Sequence, residues 1–414
     1  MPVLAASGRK AAIAFILVTA ALDVVAMGIV IPVLPSLIEG FVGSNARAGV
    51  INGALVALWA LMQFFSSPVI GSLSDRYGRR PVLLLSAAGL SADYALMALA
   101  PNLWVLVLGR AIAGVTSSSF TTVFAYMADI TAPENRSRAY GLIGVAFSAG
   151  FVAGPFLGGL LGELSPRAPF WVAGALSGLA FLYGLLVLPE SLALQNRTPF
   201  SWSRANPFGA LRLLRSHPEL SSLAVVNFLL FFSHHIFSAV FVLYAGLRYG
   251  WSAWEVGMLL ALVGALDMVA QGVLVGWTVN RIGDRGAMVV GLFGGACGLA
   301  CMGLATDGVW FVLAMLPNAL WGLAMPTLQA LMTRRVSEAE QGQLQGASMS
   351  VTSLAGILSP LFFGTVYTLS VGEAPLFPHP GTAFLMAAAV LLAAALVGRS
   401  ATRPASQGMK RESA

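Results

Sequence analysis

Charged residues are scarce in this chain of 414 residues. Asp, Glu, Lys and Arg make up only 10% of it, whereas hydrophobic residues make up 57% and the mean hydropathy is +0.82. A soluble protein carries about 25% charged residues. The composition therefore excludes an ordinary soluble domain and predicts a chain that lies in a membrane.

Cysteines and the common enzyme motifs are also nearly or wholly absent. The two cysteines, Cys297 and Cys301, lie on one predicted helix, which favours a packing role over a disulfide framework. The sequence contains no GxxxxGK[ST], HExxH or GxSxG, so it gives no sign of an ATP site, a metalloprotease or a serine hydrolase. We therefore expect a protein that is not an enzyme, without a cofactor or metal site of its own.

What the chain does contain is a series of apolar runs of about 20 residues, the length at which a helix crosses a bilayer. Alternation of apolar and polar residues, the pattern of a β-barrel, is missing. We predict an all-α integral membrane protein with twelve transmembrane helices, the first of them retained rather than cleaved as a signal peptide. The predicted spans are 12–35, 48–71, 82–100, 104–127, 138–162, 168–188, 221–247, 254–279, 287–305, 309–332, 343–369 and 381–398.

The basic residues lie almost entirely on one side of the predicted membrane. Of the 23 Lys and Arg residues, only Arg47, Arg167 and Arg248 fall in loops on the other side, and Arg110 falls within a span. Because basic loops stay in the cytoplasm, both termini are predicted to be cytoplasmic. Topology thus accounts for the net charge of +6, which does not indicate nucleic-acid binding.

An internal repeat divides the chain. GSLSDRYGRR begins at Gly71 and GWTVNRIGDR at Gly276, and Pro155 and Pro360 are separated by the same 205 residues. Repeated halves are typical of secondary transporters, whose substrate site lies near the membrane midplane between the halves. The predicted domains are six-helix bundles at 1–188 and 221–414, joined by a cytoplasmic linker at 189–220.

Four charged residues lie deep inside the predicted spans, namely Asp23, Asp93, Arg110 and Asp267. Each such residue costs about 2.5–3.5 kcal/mol on insertion scales. A carboxylate removed from water holds a proton more readily, which makes the aspartates candidates for proton coupling. The alternative is a fixed ion pair, such as Asp93 with Arg110, that holds helices in register.

Other polar and aromatic side chains in the spans are candidates for binding a substrate. Aromatic walls suit a planar, amphipathic molecule. The polar side chains are equally suited to hydrogen bonds between helices, so both interpretations stay open. Adjacent histidines do not share a helix face, which disfavours a metal site at the pair. The candidates are Asn227, His234, His235, Gln271, Asn318, Gln329, Phe64, Phe231 and Trp321.

SSPVIGSLSDRYGRRPVLL, at 66–84, resembles the loop signature between spans 2 and 3 of the major facilitator superfamily. The resemblance implies a charge network between this loop and an acidic residue in YMADIT, at the end of span 4. The glycines are expected to allow a tight turn, and the network to latch the cytoplasmic side. A plain basic loop is the alternative. The predicted latch residues are Gly71, Asp75, Arg76, Gly78, Arg79, Arg80 and Asp129.

GFVAGPFLGG, at 150–159, resembles the antiporter signature of span 5 in the same superfamily. Gly150, Gly154 and Gly158 share one helix face and allow another helix to approach closely. Pro155 removes a helix hydrogen bond and can bend the span. Together with the loop signature, this motif favours export over uptake.

LDVVAMGIVIPVLPSL, SADYALMA, LGRAIAGVT and MPTLQALMTRR resemble the proton-coupled tetracycline efflux pumps. This resemblance implies a monomer in a bacterial inner membrane that exchanges a tetracycline–divalent metal complex for a proton. The proton gradient would drive it, and Mg²⁺ would arrive bound to the drug. Coupling or transport roles are implied for Asp23, Asp93 and Arg110, and a place in the pathway for Gln63.

The chain departs from those pumps in its second half. They carry an aspartate in span 9 where this chain has Gly295, and a histidine in span 8 where it has Asp267. We interpret this as a carboxylate moved to a neighbouring helix, which preserves coupling and reshapes the drug site. The predicted function is proton-coupled export of an amphipathic cation such as the tetracycline complex. The alternatives are export of another drug or metabolite, and a membrane receptor or sensor that does not transport.

Overall fold

The structure is a computed structural model. It describes residues 6–117, 120–131, 136–200, 202, 206, 214, 218–336, 341–372, 375–377 and 379–401, and these contain helices, turns and bends but no strand. Much of the predicted linker and both ends of the chain lie outside the described residues.

The first half of the described chain contains six spans. Span 1 is interrupted at residues 31–33. Pro32 within this stretch and Pro35 just after it each lack the N–H that a continuous helix needs. Span 4 is described as two consecutive helices. The helices of this half are Ala6–Val30, Leu34–Val42, Asn45–Tyr77, Arg79–Ala98, Leu103–Thr116, Phe120–Ile130, Arg136–Leu164 and Ala168–Val187.

The second half is more irregular, because π-helical segments interrupt spans 7 and 8 and a 3₁₀ segment interrupts span 10. Nothing in the composition of these stretches predicted the interruptions. The elements are Pro218–His234, Phe237–Phe241 (π), Val242–Tyr249, Ala253–Val269, Ala270–Leu274 (π), Val275–Leu304, Gly308–Leu313, Met315–Ala319, Leu320–Leu323 (3₁₀), Ala324–Thr333, Gln341–Val371 and Thr382–Ala401.

Eleven helices in the described chain are long and apolar enough to cross a membrane, and one of them, Ala253–Leu304, has 52 residues. A single crossing needs only about 20 residues. This stretch is broken at Gly283, whose φ of 70° and ψ of 169° are not helical. It therefore supplies spans 8 and 9, and the described residues contain the twelve spans that the sequence predicts.

The described residues fall into two compact units. The first unit lies within Met1–Gly209, His235–Leu266 and Ser353–Ala383, and the second within Ala210–His234, Asp267–Thr352 and Phe384–Ala414. The predicted domains at 1–188 and 221–414 follow the sequence repeat, and that division stays a prediction.

In the first unit, helices meet at small residues. A β-carbon on Gly28 of span 1 would lie 2.9 Å from Cα of Gly154 on span 5, and Ser91 of span 3 donates to the carbonyl of Gly174 on span 6 at 2.8 Å. Lipid provides no hydrophobic force between helices, so close backbone approach is what holds such contacts.

The ends of spans 8 and 11 that lie opposite the 2–3 loop also belong to the first unit. A β-carbon on Gly257 of span 8 would lie 2.8 Å from Cα of Gly159 on span 5, and one on Gly364 of span 11 would lie 2.6 Å from the carbonyl oxygen of Gly49 on span 2. These helices are therefore in backbone contact on the side of the membrane opposite the 2–3 loop.

In the second unit, spans 9 and 10 pack in the same way. A β-carbon on Gly298 of span 9 would lie 2.6 Å from Cα of Asn318, and one on Gly291 would lie 2.8 Å from the backbone nitrogen of Ala324. Span 12 completes this unit, because Ser233 of span 7 donates to the carbonyl of Ala387 at 3.1 Å.

Candidate functional site

The connection between spans 2 and 3 turns at a single glycine. Span 2 runs through Gly71 to Tyr77, and Gly78 then adopts a φ of 105°, which side-chain-bearing residues rarely adopt. A β-carbon at Gly78 would also lie 2.7 Å from the carboxyl carbon of Glu190. The prediction that Gly71 forms part of the turn is wrong, because the helix continues beyond it.

Arg79 begins span 3 and joins acidic side chains of two other spans. Its Nη1 lies 2.5 Å from Oδ1 of Asp75 on span 2, and its Nε lies 3.2 Å from Oδ2 of Asp129 on span 4. Nη1 also donates to Oγ of Ser74 at 2.7 Å, and Ser191 donates to Oδ2 of Asp129 at 2.9 Å. Because Arg79 is only 8% exposed, water competes little for these charge-assisted bonds. Spans 2, 3 and 4 are thus joined through one guanidinium group.

The two remaining arginines of the loop lie at the edge of this network. Arg76 is exposed, and its guanidinium stands 5.1 Å from the ring centre of Tyr77. Arg80 donates from Nη2 to the carbonyl of Leu185, near the end of span 6, at 2.8 Å. Arg80 therefore ties the loop to span 6 rather than to Asp129.

Glu190, just after span 6, is a carboxylate at this site that the sequence did not predict. Its Oε1 accepts hydrogen bonds from the backbone N–H of Arg79 at 2.8 Å and of Leu192 at 3.0 Å, and its Oε2 accepts one from Arg80 at 3.2 Å. The first N–H groups of a helix have no partner within it, so Glu190 caps span 3 from a distant part of the chain. The only feature of the sequence near Glu190 is the tripeptide PES at the end of span 6, which is typical of the start of a linker.

Replacing Glu190 by Ala should leave the first N–H groups of span 3 without their acceptors. We expect the free energy of unfolding to fall by about 1–3 kcal/mol, and by less in Glu190→Gln, which keeps one acceptor oxygen. Glu163→Ala is the control, because Glu163 is exposed and accepts one backbone N–H, from Trp254 at 3.2 Å. Thermal unfolding of the purified chain in detergent measures the effect. Equal unfolding temperatures for the Glu190 and Glu163 variants would contradict the capping role.

The second half carries a similar contact with its charges exchanged. Asp284 stands at the repeat position of Arg79, and Arg334 at that of Asp129. Nη1 of Arg334 lies 2.7 Å from Oδ2 of Asp284. The same pair of repeat positions is therefore in contact in both halves. The base comes first in sequence in one half (Arg79 with Asp129), and the acid comes first in the other (Asp284 with Arg334).

The glycines of the span 5 signature line its contact with span 1. A β-carbon on Gly150 would lie 2.8 Å from Cβ of Val24, one on Gly154 would lie 2.7 Å from Cα of Gly28, and one on Gly158 would lie 2.9 Å from Cα of Ile29. Any larger residue at these positions would push the two helices apart. Pro155 lies inside the helix Arg136–Leu164, so the bend that it permits falls within the same contact.

Asp93 lies buried near the middle of span 3, against span 4. It is 1% exposed, and neither carboxylate oxygen has a hydrogen-bond partner among the described residues. A β-carbon at Gly109 would lie 3.0 Å from its Oδ1. The ion pairs found in the described chain do not include one between Asp93 and Arg110. The alternative of a fixed Asp93–Arg110 pair is therefore not realised in this structure.

Arg110 is instead held beside an aromatic ring. Its guanidinium carbon lies 5.6 Å from the ring centre of Trp59 on span 2, a cation–π distance. Trp59 is itself fixed, because its Nε1 donates to Oγ of Ser117 at 3.3 Å. The Nε of Arg110 is buried and has no hydrogen-bond partner among the described residues, so part of its hydrogen-bonding capacity is unused.

Asp23 borders a small cavity among the spans of the first half. The cavity of about 20 Å³ is lined by Thr19 of span 1, Leu83 and Ala87 of span 3 and Val123 of span 4, among others. A water molecule needs about 10–15 Å³, so the cavity has room for one. The Oδ1 of Asp23 is buried and lacks a hydrogen-bond partner in the described chain. The cavity that Asp23 borders therefore lies among the helices of this half.

The second unit groups an acid and two aromatic rings around span 10. The ring centres of His234 and Trp321 are 5.5 Å apart, and the Nε1 of Trp321 has no hydrogen-bond partner in the part described. A β-carbon on Gly322 would lie 3.3 Å from Oδ1 of Asp267, and one on Gly295 would lie 3.0 Å from Cγ of Trp321. Asp267 and Gly295 thus face consecutive residues of the same span.

The remaining candidates are dispersed. Asn227 donates to the carbonyl of Ser348 at 3.4 Å, which is a contact between helices. Asn318 is buried under Gly298, and its Oδ1 has no partner among the described residues.

His235 contacts span 11 in the first unit, where a β-carbon on Gly356 would lie 3.2 Å from its Nε2. The other predicted side chains differ in exposure: Gln271 is exposed, Gln63, Gln329 and Phe231 are half-buried, and Phe64 is buried.

Buried carboxylates in membrane-spanning helices and ion pairs at equivalent loops are typical of membrane transporters. The chain belongs to the Major Facilitator Superfamily, which it matches over residues 16–360 and 273–411. It is therefore a multi-pass membrane transporter and not an enzyme.

Relatives and solved structures agree with this placement. The chain is 40% identical to the class C tetracycline resistance protein of Escherichia coli, over 92% of this chain and 94% of that protein. It is 39% identical to the class G tetracycline resistance protein of Vibrio anguillarum, over 88% and 92%. Its fold is similar to that of a bacterial homologue of the human lysosomal transporter Spinster, with a TM-score of 0.78, 16% identity and coverage of 96% and 97%.

Proposed function

We propose that this chain is a proton-coupled antiporter that exports an amphipathic cationic drug. Proton and cargo would bind in turn, by alternating access, and each would exclude the other. The single observation that carries the proposal is the Asp93 carboxylate, which is 1% exposed in a membrane span and has no ion-pair or hydrogen-bond partner among the described residues. A buried unpaired carboxylate is costly as a permanent anion, so it is suited to holding a proton for part of a cycle.

Support for drug export comes from the relatives. Those named above are called tetracycline resistance proteins, and they match the chain over most of its length. A tetracycline–Mg²⁺ complex carries one positive charge and a planar ring system, which suits acidic and aromatic side chains. We propose this complex as the first substrate to test. The substitution at the span 9 position, Gly295, favours a substrate range that differs from that of the relatives.

The energetics are sufficient for such a cycle. Inward movement of one proton and outward movement of one monovalent cation transfer no net charge, so the membrane potential does not contribute and the pH difference drives the exchange. A difference of one pH unit is worth about 1.4 kcal/mol, which is the energy of a tenfold concentration ratio of cargo. One proton for each cation therefore supports accumulation up to the ratio of the proton concentrations, and the proton gradient is the only energy source that the proposal needs.

The proposed setting is the inner membrane of a bacterium, with both termini in the cytoplasm and the chain working as a monomer. Basic loop residues support this orientation. In it, the Arg79 network lies on the cytoplasmic side, at the loop between spans 2 and 3. We propose that this network and its charge-exchanged counterpart, Asp284 with Arg334, act as latches that break and re-form as the transporter cycles.

Transport in proteoliposomes tests the proposal. Purified chain is reconstituted, a pH gradient is imposed, and uptake of radiolabelled tetracycline is followed with and without Mg²⁺. We expect uptake that depends on the gradient and collapses when a protonophore is added. Binding of tetracycline without gradient-driven uptake would indicate a receptor and would contradict the proposal. If other organic cations are taken up and tetracycline is not, the export function would be retained and the tetracycline complex would be rejected as the substrate.

A further inference from the structure

A second cavity lies within the first unit, on the membrane side opposite the 2–3 loop. It measures about 400 Å³, which is within the range of small-molecule sites. Its walls come from the end of span 1, the start of span 2 and the connection between spans 7 and 8. The residues that matter here are Glu39, Asn45, Leu247, Trp251 and Ser252.

Glu39 gives this cavity an oriented negative charge. Its Oε2 accepts a hydrogen bond from Nδ2 of Asn45 at 3.2 Å. The Oδ1 of Asn45 in turn accepts one from the hydroxyl of Tyr367 at 2.5 Å, which fixes the amide with its N–H₂ toward the carboxylate. The ion pairs of the described chain do not involve Glu39, and no Lys or Arg is among the described residues that line the cavity.

One helix dipole adds to this negative field. Glu39 lies in the last turn of the helix Leu34–Val42. Leu247 lies near the end of the helix Val242–Tyr249, where Arg248 in the last turn offsets the dipole of that helix. The carboxyl end of a helix carries partial negative charge, which favours a cation. One helix, Ala253–Val269, begins at the cavity instead, but Oε2 of Glu255 caps the N–H of Ser252 at 2.6 Å and supplies a charge that opposes its dipole.

An aromatic wall completes the site. Trp251 lines the cavity, and its ring centre lies 4.7 Å from that of Tyr249, which holds the indole in place. Indole faces attract organic cations, quaternary ammonium groups above all. Alongside it, Val242 and Val256 are buried apolar residues of the lining. The cavity therefore offers a carboxylate, an aromatic face and apolar walls to one ligand.

We propose that this cavity is an outer binding site for a monovalent organic cation, at which exported cargo pauses before release. The cation site stands on the geometry of the cavity, whereas its place in release rests on the export proposed above. The chemistry that it recognises is an alkylammonium group. Such a group reaches the outer surface either as a soluble cation or as the headgroup of a phospholipid, and the experiment separates these two sources.

Protection of an engineered cysteine tests the site. Cys297 and Cys301 are replaced by Ala, and Ser252→Cys places a thiol on the cavity wall. Right-side-out vesicles are treated with a membrane-impermeant maleimide at rising concentrations of tetraethylammonium chloride. We expect labelling from outside that tetraethylammonium slows, while sodium chloride at equal ionic strength does not. Thr306→Cys, in the exposed outer loop between spans 9 and 10, should react at a rate that the cation leaves unchanged.

Adding Glu39→Gln should raise the half-protecting concentration of tetraethylammonium about tenfold, the ratio that corresponds to 1.4 kcal/mol. Gln is of the same size and still accepts from Asn45, so the fold is expected to persist. Asp307→Asn is the matched control, because it removes an exposed outer charge and Asn still caps the following helix. Equal protection in the Glu39 variant, or no labelling of Ser252→Cys from outside, would overturn the proposal.

Two further measurements separate the possible outcomes. Low reactivity of Ser252→Cys in vesicles that rises in phospholipid-free detergent would identify a lipid headgroup as the occupant and would reject the cargo site. Protection that depends on Glu39 in a chain that fails the proteoliposome assay would retain the cation site and reject export. Gradient-driven export without protection of the thiol by tetraethylammonium would retain export and reject the cation site.

Discussion

Asp93→Asn should reduce gradient-driven uptake of drug in proteoliposomes to the level of protein-free vesicles. The substitution keeps the shape of the side chain and replaces its carboxylate with an amide, which does not bind and release a proton. Asp93 is buried against Gly109, and both of its oxygens lack a hydrogen-bond partner among the described residues. Binding of drug without a gradient should be affected far less than coupled uptake.

The matched control for this variant is Asp307→Asn. It makes the same chemical change in an exposed loop, where the Asp307 side chain accepts from the backbone N–H of Val309 and Trp310 at 3.0 and 3.1 Å. Asn is an equally good cap, so uptake should stay at the level of the unsubstituted chain. Uptake by Asp93→Asn at that same level would refute proton binding at Asp93 and remove the main support for coupled transport.

The membrane fold could be predicted because it depends on composition and length, which the sequence shows directly. Twelve apolar runs, basic loops and a repeat spacing are properties of many residues together, and no single position decides them. The network of Asp75, Arg79 and Asp129 could also be predicted, because the sequence around these residues resembles a known loop signature. The structure adds the distances and shows that one arginine, Arg79, makes both acidic contacts.

Contacts between distant parts of the chain could not be predicted. Glu190 lies beyond span 6, and nothing near it in sequence says that its carboxylate caps span 3. The π segments Phe237–Phe241 and Ala270–Leu274 have ordinary apolar sequences, which give no sign of a π-helix. The role of Gly71 was misjudged for a related reason, since only the length of the helix decides which glycine forms the turn.

The position of the buried charges shows how the fold and the proposed function depend on each other. Asp93 tolerates its site because Gly109 has no side chain, and Arg110 stays near it because Trp59 offers a ring face. No ion pair at contact distance joins Asp93 and Arg110 within the described residues. A structure built for stability alone would pair them, because an unpaired buried ion costs several kcal/mol.

The second large effect is expected at Asp267. Asp267→Asn should lower gradient-driven uptake at least about tenfold, whereas Asp267→Glu, which keeps a carboxylate, should retain most of it. Asp267 lies against Gly322 of span 10, and Gly295 lies against the preceding residue, Trp321. Positions 267 and 295 therefore face the same stretch of span 10. If the carboxylate of span 9 has been replaced by one on span 8, Asp267 is the residue that binds the proton in the second half. Uptake unchanged by Asp267→Asn would reject the relocation.

Restoring the acid at position 295 provides the stricter test of the same idea. A β-carbon there would lie 2.8 Å from Cδ2 of Leu391 and 3.0 Å from Cγ of Trp321, so Gly295→Asp alone is expected to lower the unfolding temperature. Leu391→Ala makes room for it. In the Asp267→Asn background, Gly295→Asp with Leu391→Ala should recover part of the coupled uptake, and Gly295→Asn with Leu391→Ala should recover none. Equal recovery by the two would show that space, and not the proton-binding group, limits transport at this site.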